Sequence, residues 1–170
     1  MSALNIYIGL GSNLGDRAGH LLRAVRGMLD AGLPIARLSS IYETAPVDFL
    51  EQPHFLNAVA ELAEVSRRFS PEQLLARLLR VEYALGRRRL SGVATRGPRT
   101  IDLDLLLYDD VRMDSEFLTL PHPRLHLRRF VLAPLAELAP DGQHPTLRQT
   151  FTQLLAATAD DELTVRLWQP

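Results

Sequence analysis

The chain contains no cysteine, which excludes a disulfide framework, a thiolate nucleophile and a cysteine metal site. It also contains no lysine, because all 19 basic residues are arginine. A Schiff base, a lysine general base and a phosphate-binding P-loop lysine are therefore impossible. Any phosphate must be handled by arginine, histidine, backbone N–H groups or metal. Net charge is −1, so the molecule as a whole carries no electrostatic signature for nucleic acid or an anionic membrane. No apolar run approaches the roughly 18 residues a membrane span needs, and the N-terminus lacks a signal-peptide layout. A soluble, cytoplasmic protein is expected.

What is present is ordinary globular composition, 46% hydrophobic and 23% charged over 170 residues, enough for a single domain spanning 1–170 with one substantial core. The segment 4–10 alternates as a strand, Gly11 to Gly15 turn it, and Asp16 is positioned to cap a helix that Gly32 stops. Ile35 to Thr44 reads as a second strand and Phe55 to Val65 as a third. Ser70-Pro-Glu-Gln73 opens a helix with a capping box and proline in its first turn, and Gly86 closes it. Residues 87–99 lack periodicity and read as loop; Thr100 to Tyr108 is a strand. Phe117 to Leu120 reads as a short strand, Phe130 to Leu138 and Thr146 to Ala159 as helices, and Thr164 to Trp168 as an edge strand. Interleaved strands and helices without repeats predict an α+β fold with a mostly antiparallel sheet flanked by helices.

Asp102-Leu-Asp104 is the sharpest chemical feature. Side chains two apart on a strand share a face, roughly 6.6–6.8 Å apart. Two carboxylates so placed repel each other unless a cation lies between them. The opposite set, Ile101, Leu103, Leu105 and Leu107, is wholly apolar, so the aspartates cannot be hidden by turning the strand over. Hard oxygen donors favour Mg²⁺, completed by phosphate oxygens and water. The plain alternative is an exposed sheet face.

Five arginines (Arg87, Arg88, Arg89, Arg96 and Arg99) and no acid lie between Gly86 and Ile101. A second all-basic segment adds His122, Arg124, His126, Arg128 and Arg129. Metal-holding carboxylates beside fork-shaped guanidiniums make a site for a polyphosphate with its Mg²⁺. The alternatives are a solvated charge run or an RNA patch, but the arginine loop has no aromatic platform for bases. Glu82 shares its helix face with Leu75, Leu78, Leu79 and Leu85, which predicts a buried ion pair with a nearby arginine. Gly9, Gly11 and Gly15 do not have dinucleotide-fingerprint spacing, although Ser12 and Asn13 place polar groups where a ligand could meet them. Thr44, Phe55 and Asn57 suit a pocket for a flat, hydrogen-bonding heterocycle; ordinary turn chemistry also explains them.

Together these segments resemble the 6-hydroxymethyl-7,8-dihydropterin pyrophosphokinase family. The resemblance is carried by Ile8-Gly-Leu-Gly-Ser-Asn-Leu-Gly-Asp16, Ser40-Ile-Tyr-Glu-Thr-Ala-Pro46 and Gln52-Pro-His-Phe-Leu-Asn57. It continues through Glu82 to Gly86, Gly97-Pro-Arg-Thr-Ile-Asp-Leu-Asp-Leu-Leu-Leu-Tyr108, Leu118-Thr-Leu-Pro-His-Pro-Arg124 and Arg128-Arg-Phe-Val-Leu-Ala-Pro-Leu135. It implies a ferredoxin-like fold and transfer of pyrophosphate from ATP to the pterin's hydroxymethyl oxygen in folate biosynthesis, with release of AMP. Asp102 and Asp104 are implied to hold two Mg²⁺ ions, and Arg87 and Arg99 to act with them in catalysis. Arg88, Arg89, Arg96, Thr119, His122 and Arg128 are expected on the ATP side. Thr44, Ala45, Val47, Phe55, Asn57 and Phe130 are expected around the pterin, with two aromatics sandwiching the ring. Arg96 stands where many members carry an aromatic, and residues 87–96 are expected to form a lid that orders over both substrates. A monomer without nucleic-acid or membrane partners is expected. The rival reading is another Mg²⁺-dependent, nucleotide-using transferase with an Asp-x-Asp site, such as a glycosyltransferase.

Overall fold

The structure, a computed structural model, describes residues 5–46, 51–87, 99–158 and 165–170. The chain runs β1 (Ile6–Ser12), α1 (Arg17–Asp30), β2 (Ile35–Leu38), β3 (Tyr42–Thr44), β4 (Phe55–Leu62), α2 (Pro71–Ala84), β5 (Asp102–Tyr108), β6 (Met113–Asp114), β7 (Thr119–Leu120), α3 (Arg129–Leu138), α4 (Phe151–Ala157) and β8 (Arg166–Leu167). The main sheet has the order β5-β1-β4-β3-β8, with β2 also paired to β4, and its pairings are antiparallel. With β2 and β3 sharing one edge of β4, this is the ferredoxin-like order. β6 and β7 form a separate hairpin.

Helix ends follow local chemistry. The Asp16 side chain accepts the Gly19 N–H, and Ser70 and Gln73 exchange both capping-box bonds. α1 and α2 cover one face of the sheet over Leu21, Met28, Leu74, Leu78, Ile8 and Leu103. α3 and α4 cover part of the other over Tyr7, Val59, Leu106, Leu107, Leu132 and Phe151. Beyond α3 no helix among the described residues covers that second face, and the cleft described below lies on it.

Several elements differ from the sequence expectation. β1 extends to Ser12, because Gly11 and Ser12 keep their pairing with Asn57 and Leu56. The expected strand 35–44 is two strands: at Ser39 the hydroxyl oxygen accepts the Val59 N–H at 2.9 Å, replacing a backbone rung. β4 stops at Leu62, and Glu64–Arg68 coil into a 3₁₀ turn that leaves Val65 half exposed. The strand expected over 117–120 is only β7, with Phe117 left 81% exposed outside it. The helix expected from Thr146 starts at Phe151. The backbone N–H groups of Thr146 and Leu147 donate to His144 Nδ1 and Arg148 has φ 59°, so the helical ladder cannot begin before the Thr150 cap. A bulge in the β1–β5 pairing sets Tyr7 opposite Leu107 but Ile8 opposite Leu105. It moves Leu107 to the face of Leu106 and away from Leu103 and Leu105, against the strict alternation expected.

Candidate active site

The cleft floor is a row of paired positions across three strands. Gly11 of β1 lies opposite Asn57 of β4 on one side and Asp102 of β5 on the other. Gly9 likewise lies between Val59 and Asp104. Strands pack about 4.7–4.9 Å apart, so Asn57 and Asp102 are separated by roughly two such spacings over backbone that carries no side chain. A Cβ at Gly11 would approach Asn57 Oδ1 to 3.1 Å, so the glycine keeps this floor open and the carboxamide in place.

At one end of the row, Asn57 donates to Thr44 Oγ1 at 3.2 Å, and both are buried. Phe55 comes from the start of β4 and Phe130 from the first turn of α3; both line the cleft, as do Ala45 and Gln52. At the other end, Asp102 and Asp104 enter the cleft with Arg99 and Arg128. The Arg99 guanidinium lies 4.9 Å from the Phe55 ring centre and that of Arg128 lies 5.5 Å from Phe130. Such cation–ring stacking orients flat cations over flat walls.

Arg87 reaches the site from the end of α2. It donates to Asp102 Oδ1 at 2.6 Å and to the Ile101 carbonyl at 2.9 Å, and Arg99 Nε lies 3.3 Å from Asp102 Oδ2. Glu82, 1% exposed, lies 3.7 Å from Arg87 and accepts the Leu103 N–H at 3.0 Å. Leu103 sits between the two aspartates, so this buried carboxylate anchors the strand that presents them. The cleft thus holds Thr44, Ala45, Phe55, Asn57, Arg99, Asp102, Asp104, Arg128 and Phe130 together, and Arg87 joins through Asp102.

Thr119 and His122 lie in a neighbouring groove with Met113 and Pro121; His122 N–H donates to the Leu106 carbonyl at 2.9 Å, tying it to β5. Val47, Arg88, Arg89 and Arg96, with most of the expected 87–96 lid, lie outside the described residues. Asn13, 1% exposed, is turned into the protein rather than lining the cleft. It donates to Gln52 Oε1 at 2.9 Å and to the Pro53 carbonyl, and accepts the Arg99 N–H at 2.8 Å. Sequence reasoning missed Gln52 and the glycine floor; the alternation Gly9-Leu-Gly11 inside a strand was the available signal.

Burial lowers His122 to about 4 from 6.5, helped by the positive charges of Arg128 and Arg124 and opposed by Asp102. Its Nδ1 accepts the Arg124 N–H at 3.2 Å, so the neutral ring carries its proton on Nε2. Burial, and then neighbouring His126, likewise lowers His144, whose Nδ1 accepts two N–H groups. For a base held neutral by folding, the unfolded chain binds more protons. The stabilisation is complete above the unfolded value near 6.5 and is lost as pH falls from there toward the folded value, about 4 for His122. Urea unfolding at pH 7 and pH 5 is expected to show a loss of about 1 kcal/mol or more, made smaller by His144→Gln. A pH-independent midpoint across that interval would refute this.

A family model described as 7,8-dihydro-6-hydroxymethylpterin-pyrophosphokinase (HPPK) matches residues 7–140. The chain belongs to that family. It is 40% identical over 164 residues to the 2-amino-4-hydroxy-6-hydroxymethyldihydropteridine pyrophosphokinase of Bacillus subtilis, covering 96% of this chain and 89% of that protein. It is 39% identical over 148 residues to the Aquifex aeolicus protein of the same name, covering 87% and 88%. The folic acid synthesis protein fol1 of Pneumocystis carinii is 39% identical over 158 residues; the match covers 93% of this chain and only 20% of that protein. Among solved structures, wild-type Plasmodium falciparum HPPK-DHPS superposes with TM-score 0.67 at 15% identity, over 91% of this chain and 44% of that one. At that identity the likeness shows the fold, and the fold is that of HPPK. No helix among the described residues is long and apolar enough to cross a membrane.

Proposed function

We propose that this HPPK-family chain transfers the β,γ-pyrophosphoryl group of ATP to the hydroxymethyl oxygen of 6-hydroxymethyl-7,8-dihydropterin, releasing AMP, in folate biosynthesis. The observation that carries the reading is the Asn57–Gly11–Asp102 row. The Asn57 carboxamide and the Asp102 and Asp104 carboxylates stand on one floor with side-chain-free backbone between them, which supports a pterin at one end and the ATP phosphates at the other.

The donor set suits Mg²⁺. Asp102 and Asp104 are hard oxygen donors in one cleft, and the described residues offer no cluster of three or more His, Asp or Glu ligands. That leaves most coordination positions to phosphate oxygens and water, the usual Mg²⁺ pattern. Asp102 and Asp104 would hold two ions, and bound Mg²⁺ neutralises phosphate charge and orients the transferred group.

The chain's own side chains supply the rest. Asn57 and Thr44 hydrogen-bond the pterin edge while Phe55 and Phe130 cover its faces. Arg87 and Arg99 supply positive charge beside Asp102, and Arg128 adds it at the pterin boundary. His122, whose Nδ1 is occupied by the Arg124 N–H, donates from Nε2 to a phosphate oxygen, as does the Thr119 hydroxyl. Arg88, Arg89 and Arg96 contribute guanidiniums to the ATP side, and Val47 an apolar contact to the pterin. The hydroxymethyl oxygen bonds to the β-phosphorus as the β-phosphorus bond to the bridging oxygen of AMP breaks, and the hydroxyl proton passes to solvent. Alignment and charge stabilisation account for most of such catalysis.

The deciding assay measures AMP from Mg·ATP with and without the pterin. Pterin-dependent AMP supports the reading; release of a nucleoside diphosphate from a sugar nucleotide would support the transferase rival instead. Within this scheme Asn57→Ala is expected to weaken pterin binding about tenfold, the order of one lost buried hydrogen bond, and to leave Mg·ATP binding nearly unchanged. Calorimetry giving the reverse pattern would mean that the two subsites are exchanged.

A further inference from the structure

Glu43 immediately precedes Thr44 on β3, so strand alternation turns its carboxylate away from the cleft and toward the side covered by α1. There it is held from two directions. Arg17, in the first turn of α1, donates through Nη1 to Glu43 Oε2 at 2.7 Å and to the His54 carbonyl at 3.0 Å. Arg166, paired with Glu43 across β3 and β8, donates to Oε1 at 2.8 Å. The Glu43 side chain is only 15% exposed, and the two guanidiniums hold its carboxyl below the usual value.

The partners of this carboxylate flank the pterin side of the cleft. Thr44 pairs with Phe55, and Arg17 grips the residue before each of them, Glu43 and His54. β3 is three residues long, too short to be independently stable. Its outer edge is covered by β8, and the Trp168 N–H donates to the Ile41 carbonyl at 2.9 Å. Arg17 stands at the positive end of α1, where a cation is disfavoured, and Glu43 compensates it. Removing that carboxylate would leave two arginines facing one another behind the cleft wall.

We infer that Glu43, held between Arg17 and Arg166, is a positioning residue for the pterin subsite, and that it couples docking of the C-terminal strand to pterin binding. This rests on the assignment of pterin to the Thr44–Asn57 end of the cleft. Glu43 touches no substrate; it acts by fixing Thr44 and Phe55 against one another.

The test compares Glu43→Gln, Arg17→Ala and Arg166→Ala in the full chain, with each substrate varied in turn and thermal unfolding measured alongside. Each variant is expected to raise the KM for pterin about fivefold, the scale of a partly exposed ion pair, with kcat and the KM for Mg·ATP unchanged. Added NaCl should raise the pterin KM of the parent chain and leave that of Glu43→Gln flat. Equal rises in both KM values, or lost thermal stability with unchanged pterin KM, would overturn the proposal. Asn57→Ala, run in parallel, separates the two claims. If it weakens pterin binding while the Glu43 set does not, only the positioning role fails; if it leaves pterin binding intact, the subsite assignment fails and the positioning role falls with it.

Discussion

Replacing Asp104 with alanine is expected to reduce turnover by at least about 10²-fold, because on the proposed assignment the Mg²⁺ site that orients and neutralises the phosphates loses one of its two carboxylates. The fold should survive, since the substitution removes one of two like charges on the same strand face. Asp102→Ala should cost at least as much turnover and some stability besides. Its carboxylate also accepts from Arg87 at 2.6 Å and lies 3.3 Å from Arg99, and the Arg87 side chain is 9% exposed. Steady-state rates at saturating Mg·ATP and pterin, with thermal unfolding of both variants, check this. Turnover near that of the parent chain in either variant would overturn the proposed assignment of the aspartates to a metal site.

The second large effect is on stability. Glu82→Ala is expected to destabilise the fold by about 3 kcal/mol, the usual scale for removing one partner of a buried ionic contact. The change strips the Leu103 N–H of its acceptor at 3.0 Å and leaves the nearly buried Arg87 with less opposing charge. Turnover should fall too, because Leu103 sets the position of the aspartate on either side of it. Glu82→Gln keeps an oxygen that can accept from Leu103 and should lose about half as much. Urea unfolding midpoints and slopes measure both; a change under about 0.5 kcal/mol for Glu82→Ala would show that the carboxylate is dispensable.

The two predictions differ in how visible their residues are in the sequence. Asp102 and Asp104 stand out because charge two apart on an otherwise apolar strand has no bland packing explanation. Glu82 shows as a carboxylate on a leucine face, from which a buried ion pair with an arginine is expected but no backbone partner. That its acceptor serves a backbone N–H of a strand more than twenty residues away is a tertiary fact. Asn13 shows the opposite case: its polarity and position suggest a ligand contact, yet its amide is consumed by Gln52, Pro53 and Arg99.

Local interactions determined what the sequence alone could yield. The Asp16 and Ser70 caps, the glycine stops and the strand character of β1 and β5 depend on residues within a few positions of one another, so they are legible along the chain, and the order of the elements then implies the α+β layout. Thr44, Phe55, Asn57, Arg99, Asp102, Asp104, Arg128 and Phe130 of the cleft were also nameable, because aspartate pairs, arginine clusters and the aromatic–carboxamide set carry their chemistry wherever they sit. Tertiary structure decided the rest. The break at Ser39 exists because its hydroxyl finds Val59 on a neighbouring strand, and the late start of α4 because the His144 ring captures two backbone N–H groups. The bulge that moves Leu107 exists only in the pairing of β5 with β1. The same pairing places Asn57, Gly11 and Asp102 in one row, although each lies more than forty residues from the next. Strand register is set by packing two faces of a whole sheet at once, and no local window of sequence contains that balance.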